Sequence, residues 1–369
     1  MARHDAASVH AGVRSRPRAR PPRATARAPA AWRARCADAR TRSPSRGDRA
    51  PTAGATRLTL TIFPDGVENP ANLARIRDTA RLVGASCSGS IDGELVAIEN
   101  AARARPIYGR RPLEGHATIA VGHERRGLSE RTLAMAEETL VIPTQSRSVT
   151  TLNVAAAAAV AAWYLLRGSV PQAQVARPDA RRPSVLLVGY DHVEVGSSLR
   201  SAAAFGFRDV LLNDRGAGWF EGSPALRREA RAAARRHKNP LLVHRARGAD
   251  VERFDEVVFV LSSGSATPVE QTRVARGRNQ LVVVGLEPNE LLEVAPGRVR
   301  VATLGLEPFE RPPLRLTASI LLAEIARQVG RRRRVPGRPA PRPPQYEAAL
   351  RLAATDDVLL IDPSSLQEY

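Results

Sequence analysis

Two stretches of this 369-residue chain repeat one succession of apolar strands and small-residue helices. The first stretch predicts strands at Leu58–Phe63, Ile119–Gly122 and Leu140–Ile142, and helices at Pro70–Val83 and Leu152–Leu166. Strands that alternate with helices along a chain usually form a parallel sheet that is covered by those helices. We therefore predict an α/β fold for this stretch.

The second stretch follows the same order. A strand at Val185–Val188 precedes a small-residue helix at Gly196–Phe205. Further on, LVVVGLE at 281–287 mirrors TIAVGHE at 118–124, and LRLTASILLAEIARQ at 314–328 mirrors TTLNVAAAAAVAAWY at 150–164. The chain is thus predicted to contain two tandem parallel-sheet α/β domains, which is an internal duplication.

Composition divides the chain into five parts. We expect a disordered Arg/Pro/Ala-rich tail at 1–57, a first domain at 58–168, a linker at 169–183, a second domain at 184–330, and a basic, Pro-rich tail at 331–369. The end of the last tail, 346–369, is expected to form one helix and a short strand. The shorter spacing between Gly84 and Thr118 than between Gly206 and Leu281 predicts that the first domain lacks a strand–helix unit.

The first tail allows three interpretations: an RNA-binding arm, a mitochondrial or plastid transit peptide, or a start codon placed too far upstream. No apolar core follows its charges, which excludes a secretory signal. With only two cysteines and no metal-ligand spacing among the histidines, we expect a reducing, cytoplasmic compartment and no metal site. A mitochondrial or plastid location is the alternative if the tail is a transit peptide.

The formal net charge of +19 favours a polyanionic partner such as RNA, because a positive field attracts phosphates. A basic solubilising surface is the alternative. The arginine-rich stretch Trp219–Lys238 is expected to be a helix that either contacts phosphates or is simply solvated. No apolar run reaches the length of a membrane span.

Three short motifs follow one another in the first domain. Gly122-His-Glu-Arg-Arg-Gly-Leu128 comes directly after a strand, and Ile142-Pro143 and then Thr151-Leu152-Asn153-Val154 come later. A glycine after a strand lets the backbone approach a ligand, and a glutamate there can accept a hydroxyl proton. Each residue also has a structural explanation: Gly122 and Gly127 as turns, Glu124 as a loop acid, and Asn153 as a helix cap.

Taken in this order, the motifs resemble the SpoU/TrmH family of SPOUT RNA 2′-O-methyltransferases. The stretch from Asn72 to Gly84 also resembles that family's first motif, N-x-G-x-x-x-R-T-A. The resemblance implies a trefoil knot, the cofactor S-adenosyl-L-methionine and an RNA substrate, either rRNA or tRNA. It extends over 58–168 and, more weakly, over 184–330.

The resemblance also implies roles for individual residues. Five positions would bind the cofactor, largely through the backbone, and three would shape the methyl-transfer site. The cofactor-binding set is Gly122, Gly127, Ile142, Thr151 and Leu152, and the methyl-transfer set is Asn72, Glu124 and Asn153.

Each copy departs from the family pattern at different positions. The first copy has Asp78 where the family has arginine, while the second keeps Arg200 but has Glu194 at the asparagine position. The second copy also has Arg315-Leu316-Thr317 where S-L-N is expected. Our hypothesis is one composite site in a monomeric pseudo-dimer, with the cofactor in the first domain and Arg200 reaching in from the degenerate second domain.

Two alternatives were weighed against this enzyme. A duplicated scaffold that binds RNA without methylating it would explain why each copy has lost a motif residue. A nucleotide-dependent dehydrogenase is excluded because no G-x-G-x-x-G follows either first strand. The alanine run at 155–162 predicts either close helix approach between the domains or an ordinary core helix. The modified nucleotide does not follow from the sequence.

Overall fold

The computed structural model describes residues 58–146, 148–172, 182–236, 240–246, 251–274, 279–286, 296–330 and 357–369. The expectations for residues 1–57, for most of the linker and for residues 331–356 lie outside this part of the chain.

The first half forms one parallel sheet. Its strands are β1 (Thr59–Asp65), β2 (Ser86–Cys87), β3 (Glu94–Ile98), β4 (Arg105–Pro106), β5 (His116–Gly122) and β6 (Glu138–Val141). They are ordered β2-β1-β5-β3-β6-β4, and each neighbouring pair is parallel. Its helices are α1 (Pro70–Val83), α2 (Glu130–Met135) and α3 (Val154–Arg167).

Helix α1 begins and ends where the sequence predicts. The Asn69 side chain accepts a hydrogen bond from the backbone N of Ala71 at 2.9 Å, and Pro70 takes the first helical position. Gly84 ends the helix with a φ of 68°, in the left-handed region that glycine adopts without strain. The caps explain why this segment is a helix of defined length.

The second half forms a larger sheet. Its strands are β7 (Ser184–Val188), β8 (Asp209–Asn213), β9 (Leu241–Arg245), β10 (Glu256–Leu261), β11 (Thr267–Pro268), β12 (Gln280–Val284), β13 (Val299–Thr303) and β14 (Val358–Ile361). The order is β11-β13-β10-β12-β7-β8-β9-β14. Its helices are α4 (His192–Ala204), α5 (Pro224–Arg236) and α6 (Leu314–Val329), with short 3-10 helices at Pro296–Arg298 and Pro363–Glu368.

The two sheets share one strand order. Without β9 and β14, the second sheet reads β8-β7-β12-β10-β13-β11, which matches β2-β1-β5-β3-β6-β4 strand for strand. Helix α5 and strand β9 are a strand–helix unit that has no counterpart among the described residues of the first half. The α/β class is confirmed. The first sheet is wholly parallel, as predicted, and the second is parallel except for its edge strand β14. The shared order supports the predicted duplication.

Four helices join the two halves in a row. Helix α3 packs against α1 and α6, and α6 packs against α4. One hydrophobic core runs from Ile62 of β1 through the buried alanines of α3 to Leu187 of β7. The alanine run therefore serves both as a core helix and as the contact face between the halves.

Contacts between the halves are reciprocal. The backbone N of Gln145 donates to the carbonyl of Ala204 at 2.8 Å, and the backbone N of Glu307 donates to that of Leu82 at 2.7 Å. In both cases a segment after a late strand meets the C-terminal end of the other half's first helix. This reciprocity is what an internal pseudo-dimer requires.

One segment differs from the sequence expectation. The helix predicted from Trp219 begins at Pro224, so Trp219 lies in the preceding loop. The short strand expected within 346–369 is present as β14, which pairs antiparallel with β9 at the edge of the second sheet. Among the described residues, no helix is long and apolar enough to cross a membrane, and no cluster of His, Cys, Asp or Glu could hold a metal ion.

Candidate functional site

The predicted site residues of the first half gather at one edge of its sheet. The carboxyl ends of parallel strands meet at the same edge, which is where α/β proteins usually bind ligands. Gly122 ends β5, Ile142 follows β6, and Thr151 to Asn153 lead into α3. Ile142 is buried, Leu152 is partly buried, and Thr151 is exposed.

The loop after β5 is closed on itself. His123 and Gly127 exchange two backbone hydrogen bonds, each of 2.9 Å. A Cβ on Gly122 would lie 2.2 Å from the carbonyl carbon of Gly127, and Gly127 has a φ of 71° with Glu99 directly beside it. Both glycines are therefore required by the loop itself, which supports their interpretation as turn residues and gives a rigid loop that presents Glu124 to solvent.

Three polar side chains from separate motifs form one hydrogen-bonded chain. The amide of Asn153 donates to Oδ1 of Asn72 at 3.0 Å, and the amide of Asn72 donates to Oε1 of Glu124 at 2.7 Å. Asn72 and Asn153 are both buried, and Glu124 is exposed. The chain fixes the direction of the Glu124 carboxylate.

Asn153 has a second contact at the start of α3. Its Oδ1 accepts a hydrogen bond from the backbone N of Ala155 at 3.0 Å, so it is also the helix cap. The structural and functional interpretations of Asn153 are thus compatible, because the oxygen caps the helix while the amide group serves the site.

Arg200 extends from α4 of the second half to the Thr151 motif of the first. Its Nη2 donates to Oγ1 of Thr151 at 3.0 Å and its Nε to the Thr151 carbonyl at 3.3 Å. Nη1 donates to the carbonyl of Gln367 at 3.0 Å. Burial lowers the pKa of Arg200, but a guanidinium remains protonated at neutral pH. The arrangement places a buried cation beside the candidate cofactor loops.

The matching positions of the second half hold an ion network. Oε1 of Glu194 accepts from Nε of Arg315 at 2.8 Å and from Nε of Arg75 at 2.7 Å, and Oε2 accepts from the Arg315 backbone at 3.1 Å. Burial lowers the pKa of Arg75, but pairing with Glu194 and Asp78 outweighs it and raises that pKa. The sequence departures at Glu194 and Arg315 are therefore complementary, and their side chains neutralise each other.

This network also touches the candidate site. Nη1 of Arg315 lies 3.4 Å from Oδ1 of Asn72, the same oxygen that accepts from Asn153. Arg75 was missed by the sequence reasoning, since a lone arginine on a helix carries no signal until its partner in the other half is known.

The segment at 357–369 also reaches the site, which the sequence did not predict. The Tyr369 carbonyl accepts a hydrogen bond from the Asn153 amide at 3.0 Å. Nε2 of Gln367 donates to the Ser148 carbonyl at 3.3 Å, and the Gln367 carbonyl is the partner of Arg200 already described. The segment thus satisfies donors from both halves of the molecule.

The first-half loops fit a cofactor that is bound mainly by backbone groups. Three loops converge at one sheet edge, and the hydrogen-bonded chain from Glu124 to Asn153 holds two of them together. Ile142 and Leu152 add apolar surface of the kind that an adenosine ring requires. In the second half, Glu194 and Arg315 stand at the positions of Asn72 and Thr151 and form a buried ion pair there.

Comparison with known proteins agrees with the motifs. Residues 90–163 match the SpoU rRNA Methylase family. The resemblance to the SpoU/TrmH family of RNA methyltransferases is therefore confirmed. The matched SpoU segment contains the Gly122–Leu128 loop and the Thr151–Asn153 motif, whereas Asn72 and Arg200 lie outside it.

Two solved structures show weaker likeness. A putative RNA methyltransferase of the TrmH family from Porphyromonas gingivalis is 23% identical, with 30% of this chain and 60% of that chain covered and a TM-score of 0.27. The SpoU methyltransferase AviRb from Streptomyces viridochromogenes is 12% identical, with 71% of this chain and 88% of that chain covered and a TM-score of 0.23. These scores are too low to support an argument, and the chain spans 60% of the length of the first structure. No curated protein matches the chain.

Proposed function

We propose that this chain is an S-adenosyl-L-methionine-dependent RNA 2′-O-ribose methyltransferase with one composite site. Its domains would be 58–168, with the cofactor loops and a trefoil knot, and 184–330, a degenerate second copy that supplies Arg200. The observation that carries the proposal is the pair of hydrogen bonds from Arg200 of one half to Thr151 of the other. No second chain would be needed, because the two halves already pair within one polypeptide.

The chemistry places modest demands on these residues. Bound S-adenosylmethionine would supply an electrophilic methyl group, and Gly122, Gly127, Ile142, Thr151 and Leu152 would hold it. The ribose 2′-hydroxyl must be oriented and must lose its proton as its oxygen attacks. Much of the rate of such a reaction comes from positioning.

Arg200 is suited to orienting the substrate rather than to taking its proton. A guanidinium has a pKa above about 12 and is a poor base, even where burial lowers it. Its fork of donors matches a ribose hydroxyl and a neighbouring phosphate, which can assist the proton transfer. Glu124, exposed and held by Asn72, is placed to accept a hydrogen bond from the hydroxyl.

The decisive test separates chemistry from cofactor binding. Methyl transfer from labelled S-adenosylmethionine to total RNA should fall on the order of 100-fold in Arg200→Ala, as when a transition-state donor is removed. Cofactor affinity measured by calorimetry should change less than about threefold, because Arg200 is not in the proposed cofactor-binding set. Arg131→Ala, an exposed arginine on α2, is the matched control. Full transfer by Arg200→Ala would refute the composite site.

A second candidate function has one observation in its favour. Donors of Arg200 and Asn153 are already hydrogen-bonded to carbonyls of the 357–369 segment, an arrangement that a scaffold without methyl transfer would permit. Calorimetry decides between the two. If the wild-type chain does not bind S-adenosylmethionine, the non-catalytic scaffold remains.

A further inference from the structure

A pair of stacked rings lies at the start of α4, four residues after the end of β7. His192 and Trp219 have centroids 4.6 Å apart and an interplanar angle of 12°. Nε1 of Trp219 donates to the His192 carbonyl at 3.1 Å, and Nδ1 of His192 lies 2.9 Å from the Ala217 carbonyl. The polar edges of both rings are thus fixed, so the pair is a rigid aromatic surface.

The ring of Tyr369 packs against this pair. It is tilted by 52° to His192 at 5.8 Å and by 46° to Trp219 at 5.5 Å, and its hydroxyl lies 3.1 Å from Nε2 of His192. On its other side is Gly196 of α4, where a Cβ would lie 2.3 Å from the Tyr369 ring. The three residues His192, Trp219 and Gly196, named here the ring slot, admit a flat ring because Gly196 has no side chain.

The segment that fills the ring slot also occupies the donors of the candidate site. The carbonyl of Tyr369 accepts from Asn153, and that of Gln367 accepts from Arg200. One short stretch of chain therefore presents a planar ring and, beside it, two oxygen acceptors. A nucleotide has the same layout, with a flat base attached to ribose and phosphate oxygens.

We propose that the ring slot binds a nucleobase of single-stranded RNA, and that residues 362–369 occupy the slot until RNA displaces them. This inference rests on the proposed function, since it identifies how the substrate of that same site is held. Every nucleobase has a face that stacks on aromatic rings, and Arg200 offers a buried cation to the adjoining backbone. The chain's net charge of +19 attracts the phosphates of RNA, so it favours RNA as the occupant over a peptide that has no acidic residues.

Displacement needs only a small part of the fold to move. Ser364, Ser365 and Gln367 are exposed, and Pro363 and Leu366 are the buried residues described in this 3-10 helix. Strand β14 can stay paired with β9 while the residues after it leave. We call the protein closed when residues 362–369 occupy the ring slot. RNA must compete with this segment, so the apparent affinity for RNA is reduced to the extent that molecules are closed.

The test measures binding of a fluorescein-labelled, mixed-sequence, 12-nucleotide single-stranded RNA by anisotropy at one fixed salt concentration, without S-adenosylmethionine. Tyr369→Ala should tighten binding by about threefold or more, because the closed state loses its ring contact. Adding Trp219→Leu to that variant should weaken binding by about tenfold, the scale of one base stacked on one aromatic ring. Trp219→Phe keeps a ring, and binding should then stay within about threefold of the Tyr369→Ala variant.

Four outcomes would overturn the inference. Weaker RNA binding by Tyr369→Ala would show that the segment is a fixed part of the site and is not displaced by RNA. An unchanged Kd on removal of Trp219 from the Tyr369→Ala protein, or no binding by that protein, would exclude the ring slot. Tyr190 has an exposed ring that lies outside the ring slot. If Tyr190→Leu weakened RNA binding as much as Trp219→Leu does, the stacking would belong to exposed aromatic rings in general and not to the slot.

Methyl transfer measured in parallel separates this inference from the proposed function. Transfer that persists and is insensitive to Trp219 would refute the ring slot alone. RNA binding that depends on Trp219 without any transfer would refute the methyltransferase alone.

Discussion

The buried ion network between Glu194 and Arg315 allows the sharpest quantitative prediction. The two side chains are 7% and 4% exposed, and their atoms lie 2.8 Å apart. Arg315→Met removes one charge-assisted hydrogen bond from the carboxylate, which is worth about 1.5–3 kcal/mol. Arg75 still pairs with Glu194 at 2.7 Å, so we expect the free energy of unfolding to fall by about 2–3 kcal/mol.

Glu194→Gln is expected to cost more. It leaves the Arg315 guanidinium buried without a carboxylate, and breaking a buried pair in this way costs about 3–5 kcal/mol. In the double variant Glu194→Gln/Arg315→Met neither buried charge is left unpaired. Its loss should therefore be smaller than the sum of the two single losses by about 2 kcal/mol, since paired residues do not act additively.

Urea denaturation at pH 7 measures these differences. Tryptophan emission is a suitable signal because the indole of Trp163 donates to the Leu304 carbonyl at 2.9 Å and so reports contact between the halves. Arg105→Met is the matched control: Arg105 pairs with Glu138 at 3.2 Å but is 78% exposed, so its loss should be below about 1 kcal/mol. Additive single and double losses would refute the reasoning that the two departures compensate each other.

Three further predictions concern single residues. Gly127→Ala should weaken S-adenosylmethionine binding in calorimetry by about tenfold or more, because the new Cβ would collide with the Glu99 carboxylate. Gly115 also has a left-handed backbone but has open space around it, so Gly115→Ala should not weaken binding in this way. Asn153→Asp should keep the α3 cap yet lose methyl transfer, while Asn153→Ala should also lose about 1 kcal/mol in urea denaturation; equal stability losses would contradict the dual role. Burial and the nearby Glu324 carboxylate raise the pKa of Tyr164, so this tyrosine ionises at a lower pH in the unfolded chain than in the folded one. The stability of the protein should therefore fall above about pH 10. The urea midpoint of Tyr164→Phe should fall less over that range, and identical pH profiles for the variant and the wild type would contradict this.

The sequence predicted the elements whose signals are local. Helix α1 was predicted with its observed bounds because Asn69, Pro70 and Gly84 mark its ends by their own chemistry. The strand β7 and the helix α6 followed from apolar patterns that need no knowledge of partners. The family resemblance followed from motif order along the chain, because cofactor loops are continuous stretches of sequence.

What joins the halves could be predicted only in part. The retained Arg200 and the altered Asp78 suggested a composite site, but the hydrogen bonds to Thr151 depend on how the helices pack. The pairing of Glu194 with Arg315 was not predicted. A changed residue in a motif indicates by itself only that the motif's function is lost, and it does not show that a second change provides a new partner. Trp219 was wrongly assigned to a helix, although Gly222, Ser223 and Pro224 together carry the local signal of a helix that begins at Pro224.

The sequence by itself determined the α/β class, the repeated order of elements and the loops of the SpoU segment, because each rests on periodicity or on contiguous residues. Only the tertiary structure decided which residues meet across the halves and that the 357–369 segment lies on Arg200 and Asn153. The physical reason is that these contacts join residues that lie from 49 to 243 positions apart, and such long-range contacts depend on packing and charge pairing that no local pattern encodes.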